Sequence, residues 1–411
     1  MMNKIPKGWE VKKLGEICEI NPKTEILLLN ESDEVSFIPM ASVEAETNIF
    51  TESKSKFSKV KKGYTKFRDN DILFAKITPC MENGKICIVN NLKFGIGFGS
   101  TEFHVIRPNK NTLSKYIYYF VSQISFRQMA QIYMTGAVGQ RRVPSKILEN
   151  FKIPLPPLSE QKAIADKLDD SFAKIENAIT NLINAKENLK LYKQSVLKSA
   201  FNGDLLPNTS PTHWEVKKLG EICEKIGDGL HGTPSYNDDG EYFFINGRNI
   251  SYPYLIINNN VKRLSSDEAL KYKKDFNTHT IFVSINGTLG NIGFYNNEKI
   301  ILGKSVCYLN LKDNVNKYYI FFNLKSNEFL NYANLKATGS TIKNVSLQAM
   351  RNFEIPLPPL SEQNLIVAEI DRRFAIVDKT LNLIDKSIQN AKNLKQSILK
   401  KAFSGELRSK I

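Results

Sequence analysis

The sequence predicts an α+β chain written twice: two mixed α/β domains, separated by two long helices that pair as an antiparallel coiled coil, in a pseudo-two-fold internal repeat. Three observations carry this. Long stretches recur in the same order, short apolar runs alternate with turn residues, and two segments repeat apolar residues every seven positions. The expected division is a first mixed domain at 1–157, a first helix at 158–206, a second mixed domain at 207–359 and a second helix at 360–411.

The repeat is explicit. Trp9-Glu10-Val11-Lys12-Lys13-Leu14-Gly15-Glu16-Ile17-Cys18-Glu19 returns as Trp214-Glu215-Val216-Lys217-Lys218-Leu219-Gly220-Glu221-Ile222-Cys223-Glu224, 205 residues on. Ile153-Pro154-Leu155-Pro156-Pro157-Leu158-Ser159-Glu160-Gln161 returns as Ile355-Pro356-Leu357-Pro358-Pro359-Leu360-Ser361-Glu362-Gln363, 202 residues on. Lys193-Gln194-Ser195 returns as Lys395-Gln396-Ser397 at the same offset of 202. A unit just over 200 residues long exceeds any solenoid repeat, so each copy is a domain with an appendage.

Within the mixed parts, runs such as Ile72-Leu73-Phe74-Ala75, Ile86-Cys87-Ile88-Val89, Phe103-His104-Val105-Ile106 and Ile281-Phe282-Val283-Ser284 read as strands bounded by Asn-Gly, Gly and Pro. The two copies have diverged strongly here. The prolines at 156 and 157 then close an extended segment, and Ser159 is expected to cap a helix with Glu160 at its positive end. Leu168, Ile175, Leu182, Leu189 and Val196 follow at seven-residue intervals. Ile370, Val377, Ile384, Ala391 and Ile398 do the same in the second copy. A helix of about 40 residues, roughly 60 Å long, is expected in each. One apolar stripe cannot bury itself, whereas two in one chain can pair.

The 411 residues are enough for about two to four domains with substantial cores. Lys plus Arg is 57 against 42 for Asp plus Glu, a net charge of +15. Such a balance suits a polyanion such as nucleic acid, although lysine enrichment from an AT-rich genome would produce the same excess. The excess is concentrated: residues 1–150 carry +7 and 208–352 carry +4, against +1 and +3 on the helical segments. Cysteines at 18, 80, 87, 223 and 307 form no CxxC pair or zinc spacing, and Cys18 and Cys223 read as core residues. No apolar stretch reaches membrane-spanning length, and the first residues lack the apolar core of a secretion signal, so a cytoplasmic location is expected.

Catalytic signatures are missing from the sequence. No Asn/Asp-Pro-Pro-aromatic loop of an adenine methyltransferase occurs. Gly303-Lys304-Ser305 resembles half of a phosphate-binding loop, but residue 298, where the first glycine belongs, is Glu. Glu52-Ser53-Lys54 resembles half of a nuclease metal motif, a match that chance supplies readily. No HExxH or close histidine pair is present. Neither a catalytic residue nor a metal site is expected.

The repeated Pro-Leu-Pro-Pro-Leu-Ser-Glu-Gln followed by a heptad helix, twice in one chain, resembles the DNA-specificity subunit of type I restriction–modification systems. The resemblance covers nearly the whole chain. It extends to the Trp-Glu-Val-Lys-Lys-Leu-Gly-Glu openings and to Ile77-Thr78-Pro79-Cys80-Met81-Glu82-Asn83-Gly84-Lys85 with Gly99-Ser100-Thr101-Glu102-Phe103. In the second copy it extends to Gly227-Asp228-Gly229-Leu230-His231-Gly232-Thr233-Pro234. The resemblance implies two target-recognition domains, each reading one half of a split double-stranded DNA site. It implies that the paired helices set the half-site spacing, with Leu168, Ile175, Leu182, Leu189, Ile370, Val377, Ile384 and Ile398 in the spacer seam. Two methyltransferase subunits and two restriction/translocase subunits are the implied partners. S-adenosylmethionine, ATP and Mg²⁺ would belong to those partners, with no cofactor bound by this chain.

Reading bases requires Arg, Lys, Asn and Gln at base edges, with small polar and basic groups on phosphates, displayed on loops over a rigid scaffold. In the first domain the candidates are Lys76, Thr78, Asn83 and Lys85, where Asn83-Gly84 is expected to turn tightly between strands. Gln140, Arg141 and Arg142 follow the glycine-rich stretch after Thr135. In the second domain they are His231 and Thr233, then Asn246, Arg248 and Asn249. Asn286 and Thr288 hold the place of the first loop, and Ser340 and Lys343 that of the second. Exposed helix faces around Tyr192 and Arg372-Arg373 are candidates for methyltransferase docking. The competing readings are a coiled-coil adaptor with incidental charge, and a DNA-reading enzyme with an unrecognised active site.

Overall fold

The computed structural model describes residues 5–26, 29–207, 211–339 and 341–407. The chain forms two compact units, Met1–Leu182 with Lys386–Ile411, and Ile183–Asp385. Each contains one mixed domain and a stretch of both long helices.

In the first unit a four-stranded antiparallel sheet runs in the order Cys18–Ile20, Phe103–Pro108, Ile72–Ala75, Ile86–Ile88. Its central strand is buried on both faces, which explains the unbroken Ile72-Leu73-Phe74-Ala75 run. A second sheet runs Ser53–Lys56, Glu34–Ile38, Ile96–Gly99, Thr65–Arg68, with a parallel pair at its centre. The repeated Glu-Val-Lys-Lys, Glu10–Lys13, pairs with Lys152–Leu155, just before the diproline.

The second unit repeats this plan despite its divergent sequence. Cys223–Asp228, Val306–Leu311, Thr280–Ser284 and Ile292–Phe294 form the same antiparallel order. Tyr242–Ile245 lies parallel to Ile300–Leu302, as Glu34–Ile38 does to Ile96–Gly99. Glu215–Lys218 pairs with Glu354–Leu357. Cys18 and Cys223 are buried in the cores, and burial pushes each thiol up to about 12.

The long helices are Leu158–Asn202 and Leu360–Ser404, 45 residues each. Ser159 does not precede its helix: it lies within the first turn, because the Pro157 carbonyl already accepts from the amides of Glu160 and Gln161, both at 2.9 Å. Gln161 fastens the junction instead. Its side chain is 1% exposed, accepts from the Leu113 amide at 2.9 Å, and donates to the carbonyls of Pro156 at 2.9 Å and Asn111 at 3.2 Å. Gln363, also 1% exposed, accepts from the Asn316 amide at 2.8 Å and donates to Pro358 at 2.9 Å. Tyr116 and Tyr319 complete the same lock, each donating its hydroxyl at 2.6 Å to the carbonyl of Pro154 or Pro356.

The two helices run antiparallel within each unit. In the second, Lys186 pairs with Asp385 and Lys193 with Asp378, both at 2.6 Å: seven residues forward on one helix match seven back on the other. In the first unit Lys395 pairs with Glu176 at 2.6 Å. Leu168, Ile175, Ile370, Val377 and Ile384 are buried, while Leu182, Leu189 and Ile398 are half-buried. The repeated Lys-Gln-Ser also gains a reason. Lys395 lies over the Phe172 ring and Lys193 over Phe374, at 5.0 and 4.7 Å. Gln396 accepts from the Ile124 amide at 3.1 Å and Gln194 from the Asn327 amide at 2.9 Å, each satisfying the start of a domain helix.

Both long helices end at a glycine with positive φ, Gly203 at 82° and Gly405 at 79°. Each presses on the proline three residues before the repeated tryptophan: a Cβ on Gly203 would meet Pro211 at 2.8 Å, and one on Gly405 would collide with Pro6. Among the described residues no helix is long and apolar enough to cross a membrane.

Candidate nucleic-acid interface

The interface candidates gather where the central sheet strands end. In the first domain the antiparallel strands Ile72–Ala75 and Ile86–Ile88 are joined by residues 76–85. The expected tight turn at Asn83-Gly84 is instead the end of a wound loop. The amides of Met81, Asn83 and Lys85 donate to the carbonyls of Ile77, Pro79 and Cys80, at 3.0, 3.0 and 3.1 Å. Gly84 then exits with φ 73°. Asn83 is exposed at the turn of this loop, whereas Lys76 and Thr78 are half-buried at its base. The Thr78 hydroxyl donates to Glu82 at 2.8 Å. Lys85 is turned inward and donates its ammonium to the Met40 carbonyl at 3.0 Å.

The second candidate stretch is a hairpin beside this loop. Thr135 and Arg142 exchange backbone hydrogen bonds of 3.0 and 2.8 Å, and the Thr78 amide donates to Arg141 at 3.0 Å. The two segments chosen from sequence are therefore neighbours. Gln140 is exposed and Arg141 half-buried. Arg142 is held by a two-armed pair with Glu102, 2.8 Å on each arm, and this keeps the Glu102 carboxyl below the usual range. In this arrangement Arg142 braces the hairpin. His104 supports it from below: its Nε2 lies 2.7 Å from the Val143 carbonyl. A carbonyl can only accept, so Nε2 carries the proton and donates, and burial lowers the imidazole's pKa. At the tip, Val138 is 99% exposed.

The second domain brings its candidates closer together. Asn246, Arg248, Asn286, Thr288 and Ser305 line one open cleft of about 330 Å³. The three-residue turn Gly247–Asn249 places Arg248 outward. Asn249 is 8% exposed and uses its amide internally, accepting from the Asn246 amide at 3.0 Å and donating to the Ile256 carbonyl at 3.3 Å. It shapes the turn and is not presented at the surface. Thr338 and Asn344 pair beside the same cleft, and the Gly287 amide donates to the Lys343 carbonyl at 2.9 Å. Lys343 is exposed, with its ammonium 2.6 Å from Asn334. Ser340 lies outside the described residues. His231 and Thr233 are exposed on the neighbouring loop, His231 resting 2.6 Å from Asp228.

Sequence reasoning missed several members of these surfaces. Ser305 lines the second cleft, its hydroxyl accepting from the Gly247 amide at 2.8 Å, and exposed Lys304 lies beside it, its amide donating to the Leu230 carbonyl at 2.9 Å. Their signal was the Gly-Lys-Ser triplet, set aside as a failed nucleotide motif. A Cβ on Gly303 would collide with Asn246 Oδ1, so the glycine leaves that side chain the position it holds. In the first domain Lys23 and Lys66 join Lys76 around a cleft of about 610 Å³. Only their charge could have pointed to them. Among the described residues no cluster of His, Cys, Asp and Glu has metal-holding geometry.

The surfaces can display amides, hydroxyls and cations on a stiff sheet edge, twice, with different side chains each time. Comparison with known proteins agrees with that duplication. The chain is 25% identical over 498 residues to the type I restriction enzyme EcoEI specificity subunit of Escherichia coli, with 97% of this chain and 83% of that protein covered. Its fold matches a chain from a structural study of complex assembly and conformational transition of the type I R-M system, with TM-score 0.75, 23% identity and coverage of 98% and 100%. It also matches the HsdS subunit from Thermoanaerobacter tengcongensis, with TM-score 0.62, 22% identity and coverage of 98% and 99%. The family model for the type I restriction modification DNA specificity domain matches twice, at residues 6–185 and 211–391, and the chain belongs to that family.

Proposed function

We propose that the chain is the non-catalytic specificity subunit of a type I restriction–modification complex, in which each mixed domain reads one half of a bipartite double-stranded DNA target. The observation that carries this reading is the same strand-end scaffold built twice with unrelated loops, as two different half-sites require. Base contacts fall to exposed Asn83 and Gln140 in the first domain, and to Asn246, Arg248, Asn286 and Thr288 around the second cleft. Lysines such as Lys23, Lys66, Lys76 and Lys304 serve phosphates. The helix pair sets the half-site spacing and docks two methyltransferase subunits, and two restriction/translocase subunits join for cleavage. S-adenosylmethionine, ATP and Mg²⁺ are used by those partners.

The test is single-molecule sequencing of DNA from methyltransferase-deficient cells expressing this chain with its cognate methyltransferase. A split asymmetric motif, with a methylated adenine on each strand, is the expected result. Exchange of residues 1–157 should alter one half of the motif alone. No methylation from a stable complex with an active partner would refute the reading.

A further inference from the structure

We propose that Arg127 is a positioning residue that fixes the recognition loop of the first domain and ties it to the second long helix. This deepens the specificity reading and rests on it. Arg127 lies on the helix Ile124–Ile132 and is only 5% exposed. A buried guanidinium is tolerated when it is paired and hydrogen-bonded. Its Nη1 donates to the Glu82 carbonyl, and its Nη2 donates to Glu46 Oε1 at 2.9 Å. Gly84 lies directly over it, and a Cβ there would sit 2.7 Å from Nη1. The guanidinium is thus the floor of the Glu82-Asn83-Gly84-Lys85 turn. On the far side, Lys395 Nζ lies 3.5 Å from the Glu46 carbonyl while pairing with Glu176 at 2.6 Å. The contacts run without a break from the recognition loop through Arg127 and Glu46 to the helix pair of the same unit.

The second domain supplies an internal control. Leu330 holds the matching place on the helix Asn327–Lys336, beneath Gly290, where a Cβ would meet its Cδ2 at 2.6 Å. Both glycines are left-handed, Gly84 at 73° and Gly290 at 77°. Packing beneath the loop therefore needs only an apolar side chain. Arginine at this site even leaves its Nε buried with no hydrogen-bond partner, a cost that leucine would avoid. The charge serves what it holds: the height and orientation of the loop that presents Asn83.

The experiment uses the full chain with its methyltransferase, scored by the methylated motif. Arg127→Leu copies the second domain's side chain. Discrimination at the half-site read by the first domain should fall about tenfold, the loss of one charge-assisted hydrogen bond. The other half-site should be unchanged, and the first unit should still unfold cooperatively. Arg127→Lys should restore part of the loss. Glu46→Gln, which weakens the tie from the exposed side, should give a smaller one-sided loss. Wild-type discrimination in Arg127→Leu, or equal loss at both half-sites, overturns the proposal. Should Arg127→Leu fail to fold, wild-type discrimination in Glu46→Gln overturns it. Absence of methylation with the unaltered chain would refute the specificity reading itself.

Discussion

Replacing Gln161 with leucine removes three hydrogen bonds and almost no volume. The amide of Leu113 loses its acceptor, and the carbonyls of Pro156 and Asn111 lose their donor. Two of these groups lie at a junction where Gln161 itself is 1% exposed, so water cannot easily replace the amide. Each unsatisfied buried group costs about 1–3 kcal/mol, and the third, at 3.2 Å, is the weakest bond. A loss of about 3–5 kcal/mol from the first unit is expected. Gln363→Leu removes two bonds and should cost the second unit about 2–4 kcal/mol. The chain has two tryptophans, Trp9 in the first unit and Trp214 in the second. Urea unfolding of Trp9→Phe and Trp214→Phe backgrounds, followed by fluorescence, reads each unit separately. Gln161→Leu should shift the Trp9 transition and leave the Trp214 transition nearly in place. A shift below about 1 kcal/mol in the matching unit would refute the idea that this glutamine locks domain to helix.

Gly303→Ala should force Asn246 aside while leaving the sheet intact. Affinity for the second half-site should drop about tenfold, the scale of one bidentate base contact, measured by competition on DNA altered in one half at a time. For His104, burial holds the folded imidazole below its ordinary 6.5, so the open chain takes up the proton first. Its stabilisation is therefore complete above about pH 6.5 and declines as pH falls below that, by at most about 1.4 kcal/mol per pH unit. Trp9-monitored unfolding at pH 7.5 and 5.5 should show the decline, and His104→Gln should flatten it.

Much of the architecture was legible in the sequence because it is local or periodic. The heptads of Leu168–Val196 and Ile370–Ile398 mark continuous helices, and the matched openings and prolines mark the ends of each copy. Parallel pairing of Glu34–Ile38 with Ile96–Gly99 was not legible, since it joins segments some sixty residues apart with no shared pattern. The site was legible as regions, less so as side chains. Lys85 and Arg142 are basic loop residues by sequence, yet the Met40 carbonyl and the Glu102 carboxylate claim them. Ser159 reads as a cap, yet the Pro157 carbonyl begins the helix two residues earlier. In each case the competitor is a group distant in sequence or a backbone atom, invisible to motif reading.

The glycine–proline contact at the end of each long helix has a topological consequence. Between Gly203 and Pro211 the chain is covalently continuous, whereas Gly405 and Pro6 make the equivalent contact without a peptide connection. The same glycine–proline packing therefore forms both with and without a peptide connection beside it. A version joined from the Gly405 side to the Pro6 side and opened between Gly203 and Pro211 should fold to the same two units. Order along the polypeptide would then count for less than the closing of each glycine–proline contact.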